Sequence, residues 1–288
     1  MAIKTILVPV SSGTISRSPL NLAFMAASKF QAHVDVLHVR PDPRNMIPYV
    51  GEGMSGALIE EVMGAADREA GDRAMAVHTL FNEYVTARGV RLTAVPQLGA
   101  GVTASWIEDA GRDDEAVARY GRLTDLVVVN RPLKEAEVPT TTVFEAALFE
   151  TGQPLLVAPP EPVADFGHNI MIAWNGSLEA TGAVSSAIPF LIQAKTVSIM
   201  AATAWGEGML SVEGVAHRLS WHGVHVDVTT IGEPERPVGE IVLAEAASRG
   251  ADMIVMGAYT QSRLRRMILG GVTRHVLSNA TVPLLMSH

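Results

Sequence analysis

The sequence predicts an α/β protein: two Rossmann-like, doubly wound open parallel sheets, five strands each, arranged in tandem. Three observations carry this expectation. At roughly 150 residues per domain, 288 residues suit two domains. The apolar runs are short and nearly continuous in Val, Ile and Leu, as in strands buried on both faces. They alternate with helical patterns, and the same order occurs twice.

Taken in order, Ile6-Leu7-Val8-Pro9-Val10 is a first strand, followed by the turn Ser11-Ser12-Gly13. Its counterpart is Ile170-Met171-Ile172-Ala173-Trp174, followed by Asn175-Gly176-Ser177. A helix follows each turn, from Leu20 to Phe30 and from Leu178 to Ile192. The second strands are Val34 to Val39 and Val197 to Met200, and a third strand is read at Val90 to Leu98. Asp125-Leu126-Val127-Val128-Val129 matches Asp252-Met253-Ile254-Val255-Met256 as the fourth. Pro154-Leu155-Leu156-Val157 matches Pro283-Leu284-Leu285-Met286 as the last. Domains are therefore expected at 1–159 and 168–288, with 160–167 as a linker entered through Pro159, Pro160 and Pro162. The first half is longer because material near 44–64 is added after its second strand, leading into a helix that runs toward Tyr84. The apolar residues there suit a cover over a cleft, an interface, or a helix packed on its own sheet.

Composition narrows the function. A hydrophobic content of 48% with 18% charged residues indicates a globular core. The net charge of −8 opposes general nucleic-acid binding. With no cysteine, disulfides, zinc–thiolate sites and thiol catalysis are excluded. The N-terminal run lacks the plan of a signal peptide, and no apolar stretch approaches a membrane span, so a soluble cytoplasmic protein is expected.

Ligands of open parallel sheets bind beyond the carboxyl ends of the strands, where the strand order reverses. In the second half this edge carries Asn175-Gly176-Ser177, Gly257-Ala258-Tyr259-Thr260 and, after a basic stretch, Gly270-Gly271-Val272-Thr273. Glycine turns that open a helix present free amides to an anion. On these residues the chain resembles the universal stress protein family, an adenine nucleotide alpha hydrolase-like fold. Its phosphate motif, G-x-x-G-x9-G-[S/T], precedes a helix and a final apolar strand. Gly257 and Gly270 stand at the motif's first and third glycines, Val272 and Thr273 fit the residues after it, and Ile231-Gly232-Glu233-Pro234 fits the family's Gly-x-Pro turn. The resemblance implies a stress-response module that binds ATP or AMP, with Mg2+ needed for any slow hydrolysis. It assigns ribose to Asn175 and phosphate to Gly257, Gly270, Gly271, Val272 and Thr273, with Met256 and Thr260 also at the site. It implies no catalytic residue, and no general base is visible in the sequence.

Departures from the motif weaken the site. Thr260 replaces the second glycine, Gly271 the Ser/Thr, and Asn175 the acidic ribose contact. The first half departs further: Ser11 stands at the acidic position and Asn130-Arg131-Pro132 replaces the first glycine turn. Thr141-Thr142 falls where Gly270-Gly271 lies, and no glycine occurs between Asn130 and Gly152. A nucleotide-free scaffold with an unidentified protein partner is therefore the competing expectation. In the family, two such domains pair through their last strands, and here the halves of one chain have the parts to do so. A further homodimer is left open.

Other signals carry less. Gly99-Ala100-Gly101-Val102-Thr103-Ala104 matches a loose dinucleotide pattern but follows a third strand, at the place of the Gly232 turn. Ser12 has no triad partner. His217, His222 and His225 span a helix end and a strand, which points them apart. Arg263, Arg265 and Arg266 suit either a phosphate contact or a solvated loop.

Overall fold

A computed structural model describes residues 2–11, 17–41, 56–97, 99–132, 139–202, 210–232, 236–258 and 271–288. The first half runs β1 (Thr5–Val10), α1 (Arg17–Phe30), β2 (His33–Arg40), α2 (Gly56–Arg88), β3 (Arg91–Leu92) and β4 (Thr103–Ala110). It continues with α3 (Asp113–Gly121), β5 (Leu126–Asn130), α4 (Pro139–Phe149) and β6 (Leu155–Ala158). The second runs β7 (Asn169–Trp174), α5 (Leu178–Leu191), β8 (Thr196–Ala202), α6 (Val212–Ser220) and β9 (Asp227–Ile231). It closes with α7 (Val238–Ser248), β10 (Met253–Gly257), α8 (Gly271–Asn279) and β11 (Leu284–Ser287).

These strands form one continuous sheet of 11, in the order β3-β4-β2-β1-β5-β6-β11-β10-β7-β8-β9. Apart from the short edge strand β3, it is a five-strand order followed by its reverse. Every pairing within a half is parallel. The junction, β6 against β11, is antiparallel, with Leu156 opposite Leu285. Strands of the two halves thus run in opposite directions, and their carboxyl ends emerge on opposite edges of the sheet.

Two apolar layers hold the sheet, and each spans both halves. One joins α1, the carboxyl-terminal part of α2, α5 and α6 through Phe24, Phe81, Phe190 and Leu219. The other joins α3, α4, α7 and α8 through Val117, Phe144, Val242 and Val276. Residues between the halves belong to the first layer: Phe166 is fully buried near Phe190, and Lys29 lies over its ring. Ser18 and Asn21 on α1 donate to the carbonyls of Pro159 and Val163, so this segment is tied down.

The landmark aspartates have one role in both halves. Asp125 Oδ2 accepts from the backbone N–H groups of Lys4 and Thr5 and from the Thr5 hydroxyl. Asp252 accepts from the N–H groups of Gly167, His168 and Asn169. Each carboxylate at the start of the fourth strand gathers the donors that lead into the first strand.

The third strand of the first half differs from its sequence assignment. The region 90–98 supplies only the β3 edge pair, while the long pairing with β2 belongs to β4. The β4 sequence Thr-Ala-Ser-Trp-Ile-Glu-Asp-Ala is half polar because its outer part is exposed, so it lacks an apolar run. Gly99 and Gly101 therefore lead into the third strand instead of following it, and they lie at its amino end. The counterpart of the Gly232 turn is Gly111, whose φ of 130° favours glycine.

Of the insertion, 44–55 lies outside the described residues. Residues 56–64 begin the 33-residue α2, where Leu58 and Val62 are exposed. Further along, Val77, Leu80, Phe81 and Val85 recur at helical spacing and are buried, so this part of α2 packs on its own sheet. No described helix is long and apolar enough to cross a membrane.

Arg131 belongs to the turn that replaces the first glycine turn. Its Nη1 donates to the carbonyls of Ala280 at 3.0 Å and Leu277 at 3.4 Å, at the end of α8 in the other half. A cation there meets carbonyls left unpaired by the helix and the negative end of its dipole. Arg131→Met retains the aliphatic stem and should cost about 1–2 kcal/mol. Urea denaturation would check this, and a change within error would show that the contact contributes nothing to pairing.

Candidate functional site

In the second half, β7 and β10 are neighbours, and the chain turns one way from β7 to β8 while β10 lies on the other side. This is the reversal point at which open parallel sheets bind ligands. At its carboxyl edge, half-buried Asn175 accepts from the Ser177 N–H through Oδ1 at 3.2 Å. Gly176 has φ 71°, a left-handed conformation that suits glycine. Ser177 then caps α5, its Oγ accepting from the Ala180 N–H at 3.1 Å. The Asn-Gly-Ser sequence thus folds as a tight turn, with one lone pair of Asn175 engaged and its amide NH2 left as a donor.

Gly257 ends β10 directly beside that helix start. A Cβ there would lie 2.4 Å from the Ala180 backbone nitrogen and 2.7 Å from the Glu179 carbonyl carbon. The first turn of α5 therefore rests on the strand end, a packing requirement independent of any phosphate. Met256 is 4% exposed and belongs to the core layer that contains Ala173 and Met200. The helix α8 opens at exposed Gly271, followed by half-buried Val272 and buried Thr273. A Cβ on Gly271 would meet nothing within 4 Å, and its φ is not left-handed, so no steric reason excludes a side chain there.

The fold thus gathers Asn175, Met256, Gly257, Gly271, Val272 and Thr273 at one edge. Thr260, Gly270 and the three arginines lie outside the described residues. His217 Nε2 accepts from Trp221 Nε1 at 3.2 Å on α6, away from this edge. Among the described residues, no three His, Asp or Glu side chains gather as metal ligands.

The corresponding edge of the first half holds a cleft over β1, β2 and β5. Apolar side chains, including Leu37, Val39, Val129 and Val143, form most of its wall. Asn130 and exposed Ser11 lie at its margin, and Thr141 and Thr142 lie within α4, already inside a helix. The cleft also contains Asp113, the first residue of α3. Burial pushes its carboxyl above the usual carboxylate range, with Asp114 adding to this and the charges of His38 and Arg73 opposing it. Sequence reading missed Asp113 because the third strand had been placed too early. The signal was Gly111, since a glycine before an acidic helical turn marks the end of a strand.

An open parallel sheet whose strand order reverses between β7 and β10 defines the class of Rossmann-like, doubly wound α/β proteins. The particular family follows from comparison: the model of the universal stress protein family matches residues 168–288. The match lies in the second half of the chain. No curated protein matches the sequence. Among solved structures, a universal stress protein from Archaeoglobus fulgidus is similar over 98% of this chain and 94% of its own, with 16% identity and a TM-score of 0.64. A candidate universal stress protein from Pseudomonas aeruginosa covers 99% of this chain and 92% of its own, at 14% identity and a TM-score of 0.55. A functionally unknown protein of the same species has the same coverages and identity, with a TM-score of 0.53. At these identities the likeness concerns the fold, and it extends over both halves.

Proposed function

We propose that this protein is a tandem universal stress protein whose second half binds an adenine nucleotide, ATP or AMP, and whose first half is its structural partner. The observation that carries this reading is the convergence of Asn175, Gly257 and the start of α8 at the reversal point of the half that matches the family. Asn175 would donate from its amide to a ribose hydroxyl, and the first amides of α8 would meet phosphate. A divalent ion would arrive with the phosphates and neutralise their charge, as any slow hydrolysis requires. We assign no catalytic residue and place the two domains at 1–159 and 168–288, in the cytoplasm.

A thermal shift with ATP and magnesium tests the reading. Ligand at 100 times its dissociation constant adds about 2.7 kcal/mol of stability. Gly271→Ser restores a hydroxyl at an unobstructed position, and Asn175→Asp restores a charged acceptor for ribose. Each should tighten binding several-fold. Absence of any shift with ATP, ADP or AMP, in the wild type and both variants, rejects nucleotide binding.

A second reading is a nucleotide-free scaffold. It is favoured by the use of Arg131, at the position of the first glycine turn, to clasp the other half. In that case stability should be insensitive to nucleotides yet sensitive to Arg131.

A further inference from the structure

The antiparallel meeting of β6 with β11 sets the carboxyl edge of each half beside the amino edge of the other. A helix that returns from its own carboxyl edge therefore ends at the carboxyl edge of the other half. Helix α8 does this: it opens at exposed Gly271, on the edge that carries Asn175 and Gly257, and closes at Asn279. There Arg131, the residue after β5, donates through Nη1 to the carbonyls of Ala280 and Leu277. The first half repeats the arrangement. Its α4 ends at Phe149, whose ring meets that of His288 edge-on at 4.7 Å, and His288 Nδ1 donates to the carbonyl of Ala258 at 3.1 Å. Ala258 directly follows Gly257, so each last helix ends beside the chain leaving β5 or β10 of the other half.

Helix α8 depends on such support. Nine residues make a helix of about 14 Å, and a helix this short does not persist on its own in water. Thr273, Val276 and Leu277 are buried on one face, and Gly239 of α7 lies so close that a Cβ there would stand 2.7 Å from the His275 Cβ. These contacts grip the helix along its side. Its last turn contains no basic residue, so the cation that meets its negative end comes from Arg131 of the first half.

We infer that Arg131 is a positioning residue for the second half's nucleotide site, holding the far end of α8 so that the amides of Gly271, Val272 and Thr273 stay aligned on phosphate. The inference rests on the nucleotide reading given above. Helix formation is cooperative, so an anion at one end and a cation at the other favour the same ordered, docked helix. A ligand that uses α8 must otherwise bear the entropy of ordering it, and the clasp lowers that cost in advance. Coupling of this kind is reciprocal: phosphate at Gly271 tightens the contact of Arg131 with Ala280, and with it the hold of one half on the other. It also has a chemical signature, because adenosine has no phosphate to present to α8 and is held from the Asn175 side alone.

The full chain is compared with Arg131→Met and Arg131→Lys by calorimetric titration with ATP and magnesium, AMP and adenosine. Arg131→Met should weaken ATP and AMP by about fivefold and change adenosine by less than about twofold. Arg131→Lys keeps a cation at the helix end and should recover most of the loss. In the ligand-free proteins, amide hydrogen exchange at His275 and Val276 reports on the first turn of α8, and Arg131→Met should speed it by more than it speeds exchange in β1. Equal weakening of AMP and adenosine, no recovery by lysine, or exchange in α8 that rises no more than in β1 would each overturn the inference. A wild type that binds AMP with an affinity independent of Arg131 overturns this inference alone, whereas a wild type that binds none of the three ligands removes the nucleotide reading as well.

Discussion

Gly257→Ala should destabilise the protein by about 3 kcal/mol, read as a lower urea midpoint with an unchanged slope. The added methyl would sit 2.4 Å from the backbone nitrogen of Ala180 and 2.7 Å from the carbonyl carbon of Glu179. Backbone cannot rotate aside as a side chain can, so α5 must lift from β10. That movement would also disturb the Ser177 cap and the Asn175 turn that precede it. The motif's first glycine is thus needed for packing even before a ligand is considered. A near-neutral effect would mean that the helix start has room to shift, and the glycine would then have to be explained by a ligand alone.

Removing Asp252 should have an effect of similar size. Asp252→Ala leaves three backbone N–H groups, those of Gly167, His168 and Asn169, without their charged acceptor. Hydrogen bonds to charged groups contribute about 1.5–3 kcal/mol each, but these donors are only partly buried, so water recovers part of the loss. We expect about 3 kcal/mol for Asp252→Ala, and roughly half that for Asp252→Asn, which keeps an acceptor oxygen. Asp125→Ala should behave alike, since its carboxylate accepts from Lys4 and Thr5 in the same position of the other half. If both alanine variants unfold at the wild-type urea midpoint, the duplicated aspartates must be explained by something other than strand closure.

These two residues show why much of the fold was legible. Buried strands such as Leu126–Asn130 and Met253–Gly257 are nearly all aliphatic, and their flanking Asp and Pro residues repeat. Local chemistry therefore announced their place in the order. The β4 strand was misplaced because it lies near the sheet edge with part of its surface exposed. A strand so near the edge is defined by its partner, here eight successive residues of β2, and not by an apolar pattern.

The candidate sites divide along the same line. Asn175, Gly257 and Gly271 could be named from motif spacing, since a phosphate turn depends on backbone freedom written locally as glycine. Asp113 and Arg131 could not. Asp113 lines a cleft because its helix starts over the ends of three strands. Arg131 looked like the loss of a glycine turn. Its gain is a helix end 146–149 residues away in sequence.

By itself, then, the sequence determined the class of fold, the duplication and the position of the second half's turns. Periodicity and glycine placement are local properties, and they are sufficient for those. The tertiary structure decided that two five-strand orders become one sheet, that their carboxyl edges face opposite ways, and that Asp113 lines a cleft of the first half. Those depend on the antiparallel meeting of β6 with β11 and on side chains brought together across strands. Such contacts are set by the packing of distant segments, which no local pattern encodes.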